Sequence, residues 1–200
     1  MNFWHAIPLH YLPTLLYTGQ LFSATALNRE LSYITPRPTA IDRKRRLGLE
    51  NYVHLSLKPI TPLLSHKHGK GYPHALLRFP ETLAERNNTG LLRFNTKRWT
   101  HRKDFVPVYD AVGKKEFLEA WRIGSYPSAE LLVPNSLSLA EAEVIFLPDA
   151  RYQRFFPGAE LAAELFPTLA TCPYETELES YLLLCLHLEK PLAPPELPFD

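Results

Sequence analysis

Sulfur and glycine are scarce in this chain: its 200 residues include two cysteines, one methionine and eight glycines. The two cysteines, Cys172 and Cys185, show no metal-type spacing and no accompanying histidine pattern. They exclude a disulfide-stapled scaffold and a zinc ribbon, and read as reduced packing residues of a cytoplasmic protein. Long apolar runs are missing too. Nothing approaches the ~20 consecutive apolar residues of a membrane-spanning helix, so no membrane partner is expected. The opening residues Met1 to His5 carry no basic stretch, and Pro8 and Pro13 interrupt the apolar residues that follow, which argues against a secretory leader. There is no phosphate loop, Rossmann glycine pattern, nucleophile elbow or zinc motif. His66 and His68 flank Lys67, but no carboxylate or third histidine stands at a useful spacing. That segment reads as a solvated basic loop, and no metal is expected.

What is present suits a single globular domain with a substantial core over 1–190, followed by a proline-rich tail over 191–200. The net charge of +1 conceals an asymmetry. Residues 1–122 hold 19 Lys and Arg against 9 Asp and Glu, whereas residues 123–200 hold 3 against 12. Either the first part meets a polyanion, or the two parts attract each other on folding.

Nineteen prolines keep the elements short. Leu9, Leu12, Leu15 and Leu16 have helical spacing within 8–21, with Pro13 near the helix start and Gly19 placed to end it. Residues 23–40 read mostly as loop. Tyr52-Val53-His54-Leu55-Ser56-Leu57 alternates in the strand period, and strands are also expected over 75–79, 90–94, 129–133 and 144–147. Short helices are expected over 81–86, 114–122, 159–165 and 175–188, with 135–141 as a connection. Short strands interrupted by short helices point to an α+β domain rather than a doubly wound sheet.

Glu130 stands out. It is a lone acid at the mouth of the apolar run Leu131-Leu132-Val133, where an acid is either solvated or held in a cleft for chemistry. Three separate stretches give it a context. The first is Trp4-His5-Ala6-Ile7-Pro8-Leu9-His10-Tyr11-Leu12-Pro13, running on to Gly19-Gln20-Leu21. The second is Ile41-Asp42-Arg43-Lys44-Arg45-Arg46, followed by Asn51-Tyr52-Val53-His54-Leu55-Ser56-Leu57-Lys58-Pro59 and Pro62-Leu63-Leu64. The third is Ala129-Glu130-Leu131-Leu132-Val133-Pro134. In order and spacing the three resemble the blocks of the DarT family of DNA ADP-ribosyltransferases, across about residues 3–150. The chain departs from the family's usual Thr at Ile7, from its Asn at Tyr11, and from an aromatic-rich strand at Leu55, Ser56 and Leu57.

The resemblance implies an ADP-ribosyltransferase-like split β-sheet that binds NAD as substrate in a cleft. It implies Glu130 as the catalytic acid, His5 on the adenosine-side ribose, and Arg45 or Arg43 on the pyrophosphate or the target backbone. Tyr52 and Ser56, four apart on a strand, share a face that one of them would present to nicotinamide. By the same resemblance the region before Glu130 meets the target, and here it carries Lys97, Arg98, Trp99, Arg102, Lys103 and Tyr126. Basic side chains interleaved with aromatics can grip phosphates and stack bases. The implied activity is toxin-like transfer of ADP-ribose to a base of single-stranded DNA, with a macrodomain antitoxin as partner. Blander readings remain at several positions: a half-buried strand histidine at 5, core packing for Tyr52 and Trp99, and a solvated basic face for 43–46. Transfer to RNA or protein, and a non-catalytic nucleic-acid binder on the same scaffold, are the rival functions.

Overall fold

The computed structural model describes residues 1–31, 47–59, 74–95, 99–147, 164, 166 and 170–173. Arg43, Arg45, Lys97, Arg98, the His66–His68 pair, Cys185, the tail over 191–200, the helix expected over 175–188 and most of that over 159–165 lie outside the described residues.

The strands are β1 (Asn2–Pro8), β2 (Gln20–Phe22), β3 (Tyr52–Ser56), β4 (His74–Pro80), β5 (Gly90–Leu92), β6 (Glu130–Pro134), β7 (Ser136–Ser138), β8 (Val144–Leu147) and β9 (Ala170–Pro173). The helices are α1 (Leu12–Thr18), α2 (Ala24–Glu30) and α3 (Ala111–Arg122). Seven strands form one sheet in the order β5-β6-β3-β1-β4-β8-β9, and β2 pairs with β7 in a second sheet. The pairings are antiparallel except for β8 with β9. The α+β expectation therefore holds, with short helices around a mostly antiparallel sheet.

Alternation builds the main core. Phe3 and Ile7 of β1, Val53 and Leu55 of β3, Leu77 and Phe79 of β4, and Leu131 and Val133 of β6 face one side. Leu12, Leu15 and Leu16 of α1 and Phe117 and Trp121 of α3 pack onto that face. Burying each such side chain contributes roughly 1.5–3 kcal/mol before the loss of conformational entropy. The opposite face carries two smaller apolar clusters. Trp4, Leu76, Val144 and Phe146 form one, and Leu49, Leu92, Trp99 and Leu132 form the other.

Several elements follow their sequence signals. Pro13 sits in the first turn of α1, where a missing N–H costs least, and Gly19 closes the helix at a left-handed φ of 65°. Asp110 caps α3 by accepting from the Gly113 N–H at 2.7 Å. Others differ from expectation. Residues 24–30, read as loop, form α2, capped by Ser23 accepting from the Ala26 N–H. Residues 136–138, read as part of a connection, form β7 and pair with β2, which the sequence reading did not resolve. Three-residue strands are too short to show a period, and α2 buries only Ala26, so it carries no apolar stripe. The helix expected over 81–86 is a 3-10 turn over Glu81–Glu85.

Charge attraction between the two parts of the chain is visible. Arg86 pairs with Glu141, and Arg78 Nε lies 3.3 Å from Glu143 Oε2. Both pairs join the basic first part to the acidic second part, so some of the asymmetry is internal complementarity. Half-exposed pairs of this kind contribute about 0–1 kcal/mol each.

Candidate active site

The site follows from sheet register. Ser56 of β3 stands opposite Glu130 of β6, Leu92 of β5 is opposite Glu130 on its other side, and Trp4 of β1 is opposite Ser56. Leu92, Glu130, Ser56 and Trp4 thus form one row across the sheet, on the face opposite the main core. Trp4 and Leu92 belong to the two apolar clusters of that face, and the polar pair Glu130 and Ser56 lies between them.

Glu130 does not point into open water. Its side chain is 17% exposed, and its Oε2 lies 2.7 Å from Nδ1 of His54, whose side chain is 12% exposed. His54 faces Leu132 across the ladder, one diagonal step from Glu130, a spacing that two long side chains can bridge. The other ring nitrogen of His54, Nε2, donates to the Leu49 carbonyl at 2.9 Å. Leu49 is buried in the second apolar cluster, just after Gly48, whose φ of 69° turns the chain into the short 3-10 helix Leu49–Asn51.

His5 reaches the same place from the other side. The ladder between β1 and β3 consists of the single pair Trp4 and Ser56. Next to that pair the Nδ1 of His5 donates to the His54 carbonyl at 2.9 Å. A carbonyl only accepts, so Nδ1 is the protonated nitrogen in this contact. Strand alternation places His5 with Phe3 and Ile7, on the face away from Glu130. The structure thus joins His5 to Glu130 through His54, whose backbone takes one and whose ring takes the other.

Ser56 Oγ accepts from the Lys58 N–H at 3.3 Å. Tyr52 lies on the same face as His54 and Ser56, packs beside the second apolar cluster, and accepts at its hydroxyl from the Tyr109 hydroxyl at 3.1 Å. Burial, then the hydrogen bond to Tyr52, pushes the Tyr109 phenol well above its usual range. Gly90 makes room for this pair. A Cβ there would lie 2.7 Å from the Tyr109 ring and 3.1 Å from Pro107 Cβ. Gly90→Ala is therefore expected to cost about 1–3 kcal/mol by overpacking. Urea unfolding checks this; a variant as stable as the parent would mean that the ring moves aside without cost.

The segment before Glu130 divides into buried and exposed members. Trp99 is 8% exposed, packs against Phe105, and donates its indole N–H to the Phe94 carbonyl at 2.8 Å. The structure thus places Trp99 in the apolar cluster, the core reading left open by the sequence, and not on an open stacking surface. Arg102 and Lys103 are exposed. Their loop is organised by buried Asp104, which accepts from the backbone N–H groups of His101 at 2.7 Å and Thr100 at 2.8 Å.

Those two backbone hydrogen bonds hold the Asp104 carboxyl below its ordinary value of 3.8. The unfolded chain takes up the proton near 3.8, the folded loop only at lower pH. The stabilisation is therefore complete above that value and is lost as pH falls through the folded one. Amide exchange at Thr100 and His101 is expected to stay slow down to mildly acidic pH, and Asp104→Asn to make it fast at neutral pH. Unchanged exchange in the variant would contradict this account of the loop.

Tyr126 has φ 52°, uncommon for an aromatic residue, in the turn whose Tyr126 carbonyl accepts from the Ala129 N–H as the chain enters β6. Its ring lies against Phe117 and Phe94, and the Arg93 guanidinium sits 5.7 Å from its centroid. Arg93 also donates to the Lys103 carbonyl at 3.1 Å. Arg93 thus ties the loop of Arg102 and Lys103 to the turn that aims Glu130. Neither Arg93 nor His54 is singled out by the sequence reading. Their strand positions held the signal: His54 alternates with Tyr52 and Ser56, and Arg93 follows Leu92, the partner of Glu130.

Among the described residues, no group of three or more His, Cys, Asp or Glu is close enough to hold a metal ion, and no helix is long and apolar enough to cross a membrane.

No protein-family model matches the chain, and no curated protein matches it in sequence. Solved structures do match it in shape. Thermosipho africanus DarTG in complex with ADP-ribose superposes with a TM-score of 0.60 at 15% identity, over 88% of this chain and 50% of that one. Thermus sp. 2.9 DarT in complex with NAD+ gives 0.59 at 14% identity, over 86% of this chain and 94% of that one. The same protein in complex with ADP-ribosylated ssDNA gives 0.57 at 14% identity, over 86% and 93%. The chain spans about half the length of the DarTG protein and nearly all of the DarT protein. At these identities the likeness establishes a DarT-like fold.

Proposed function

We propose that this protein is a NAD-dependent ADP-ribosyltransferase that transfers ADP-ribose to a base of single-stranded DNA. The observation that carries the reading is the junction of His5, His54, Ser56 and Glu130 where β1 and β3 share a single pair. All three stretches that resemble the DarT blocks contribute a residue there, on a fold of DarT type.

The chemistry asks for such a carboxylate. The bond between nicotinamide and ribose C1′ breaks, and cationic character like that of an oxocarbenium ion builds on the sugar. A carboxylate already in place stabilises that charge, because it need not reorganise as the charge appears. The new bond forms between C1′ and a base nitrogen or other nucleophilic atom, whose proton a nearby base accepts. Glu130 is assigned to this work, and Ser56 and Tyr52 to the nicotinamide end. His5 is assigned to the adenosine-side ribose. Arg45, with Arg43 as the alternative, is assigned to the pyrophosphate, since a planar guanidinium pairs two oxygens at once.

The target strand is assigned to Arg102, Lys103, Lys97, Arg98 and Tyr126, with Trp99 of the same segment packed in the second apolar cluster. A toxin-like role in the cytoplasm, with a macrodomain antitoxin that removes the mark, completes the reading. The test is an acceptor panel: protein and labelled NAD are incubated with single-stranded DNA, RNA or a protein mixture. Label on DNA is the expected result. Label on RNA or protein alone would reassign the acceptor, and salt-sensitive DNA binding without NAD consumption would identify a non-catalytic binder.

A further inference from the structure

We infer that His54 is a positioning residue for Glu130. It locks one carboxylate oxygen through a shared proton and so sets how the acid meets the sugar, an inference that rests on the transferase reading above.

The proton count follows from the hydrogen-bond partners. The Leu49 carbonyl can only accept, so the His54 Nε2 that lies 2.9 Å from it carries a hydrogen. With Nε2 protonated, a neutral imidazole presents a lone pair at Nδ1. An ionised carboxylate 2.7 Å away presents another lone pair. Two lone pairs do not hold each other at that distance. One proton therefore lies between Nδ1 and Oε2, on the ring as an imidazolium or on the acid as a carboxyl. The Leu49 contact fixes the tautomer, and the tautomer makes the lock depend on that proton.

The ring has little room to turn away. Leu49 is anchored among Leu92, Trp99 and Leu132, and both ring nitrogens are engaged. The backbone beneath is held as well, since His5 donates to the His54 carbonyl. The side chains of the pair are 12% and 17% exposed, so water competes weakly for the contact. The carboxylate so held is the one at the centre of the row from Leu92 to Trp4. A flexible carboxylate would spend most of its time misdirected, and a misplacement of about 1 Å costs about 100-fold in rate.

The experiment has two arms. The first needs no NAD. In the wild-type protein, proton NMR is expected to show a strongly deshielded proton shared between His54 and Glu130, absent from Glu130→Gln and from His54→Phe. If wild type lacks that signal, or Glu130→Gln keeps it unchanged, the shared proton is refuted. The second arm is kinetic. His54→Phe keeps the ring shape and deletes both hydrogen bonds. It is expected to lower kcat about 100-fold with little change in KM for NAD. His54→Asn retains a donor toward Glu130 and is expected to recover most of that loss.

Wild-type kcat in His54→Phe, or no recovery in His54→Asn, would overturn the positioning role. So would a loss in which KM rises as much as kcat falls. If His54→Phe does not fold, the comparison of wild type with Glu130→Gln in the first arm still decides whether the proton is shared. The deshielded signal together with no turnover of NAD would refute the transferase reading and reduce His54 to a structural partner.

Discussion

Replacing Glu130 with glutamine is expected to lower the rate of ADP-ribose transfer about 100- to 1000-fold while leaving the fold intact. The substitution removes the charge and keeps the size of the side chain. Glutamine has nearly the same shape, and its amide can donate to the lone pair that neutral His54 presents at Nδ1. The backbone ladder of β6 with β3 and β5 does not use the side chain. Thermal melting should therefore be close to that of the parent. KM for NAD should change far less than kcat, since the lost interaction is one that strengthens as charge develops on the sugar. A variant with full activity would remove Glu130 from the chemistry.

Leu131→Ala is the second large effect, and it falls on stability. Leu131 follows Glu130 on β6, faces the main core, and has 0% exposure. It stands between Leu55 of β3 and Leu91 of β5, both also at 0% exposure, so backbone on either side resists collapse into the vacancy. Truncation of a buried leucine costs about 2–5 kcal/mol. That is a large fraction of the roughly 5–15 kcal/mol that holds a typical domain together. Urea unfolding is expected to show a lower midpoint with a similar slope. Where the variant remains folded it should still transfer ADP-ribose, because the charged face of β6 is untouched. Paired with Glu130→Gln, it separates scaffold from chemistry on adjacent residues.

The two faces of β6 explain what could be read from residues alone. Alternation within 52–57 and the apolar run after Glu130 mark strands whose faces are dictated by burial, and both strands are present. Pro13 and Gly19 punctuate α1 as their backbone preferences require. The acid at the mouth of β6 was visible because charge is uncommon beside such a run. His54 was harder to see. A histidine in an alternating strand resembles any half-wet residue until register shows that Glu130 lies one diagonal step away.

Register is a long-range property, and no local pattern encodes it. The same holds for β2 and β7, which exist because each finds the other. Trp99 shows the converse case, a position where the residues alone left stacking and core packing both open. An indole among basic residues suggests a stacking surface, but its N–H reaches the Phe94 carbonyl and its ring fills a cluster with Leu49, Leu92 and Leu132. Arg93, hidden at the end of a short strand, links the turn at Tyr126 with the Lys103 carbonyl.

The central claim is that Glu130, held by the His54 ring and joined through the His54 backbone to His5, acts on NAD for a nucleic-acid acceptor. Intact-mass spectrometry of a mixed-sequence single-stranded DNA oligonucleotide, incubated with the protein and NAD, tests it most directly. The predicted result is a mass gain of one ADP-ribose that needs NAD and disappears with Glu130→Gln. An oligonucleotide of unchanged mass, with NAD left unconsumed, would contradict the account.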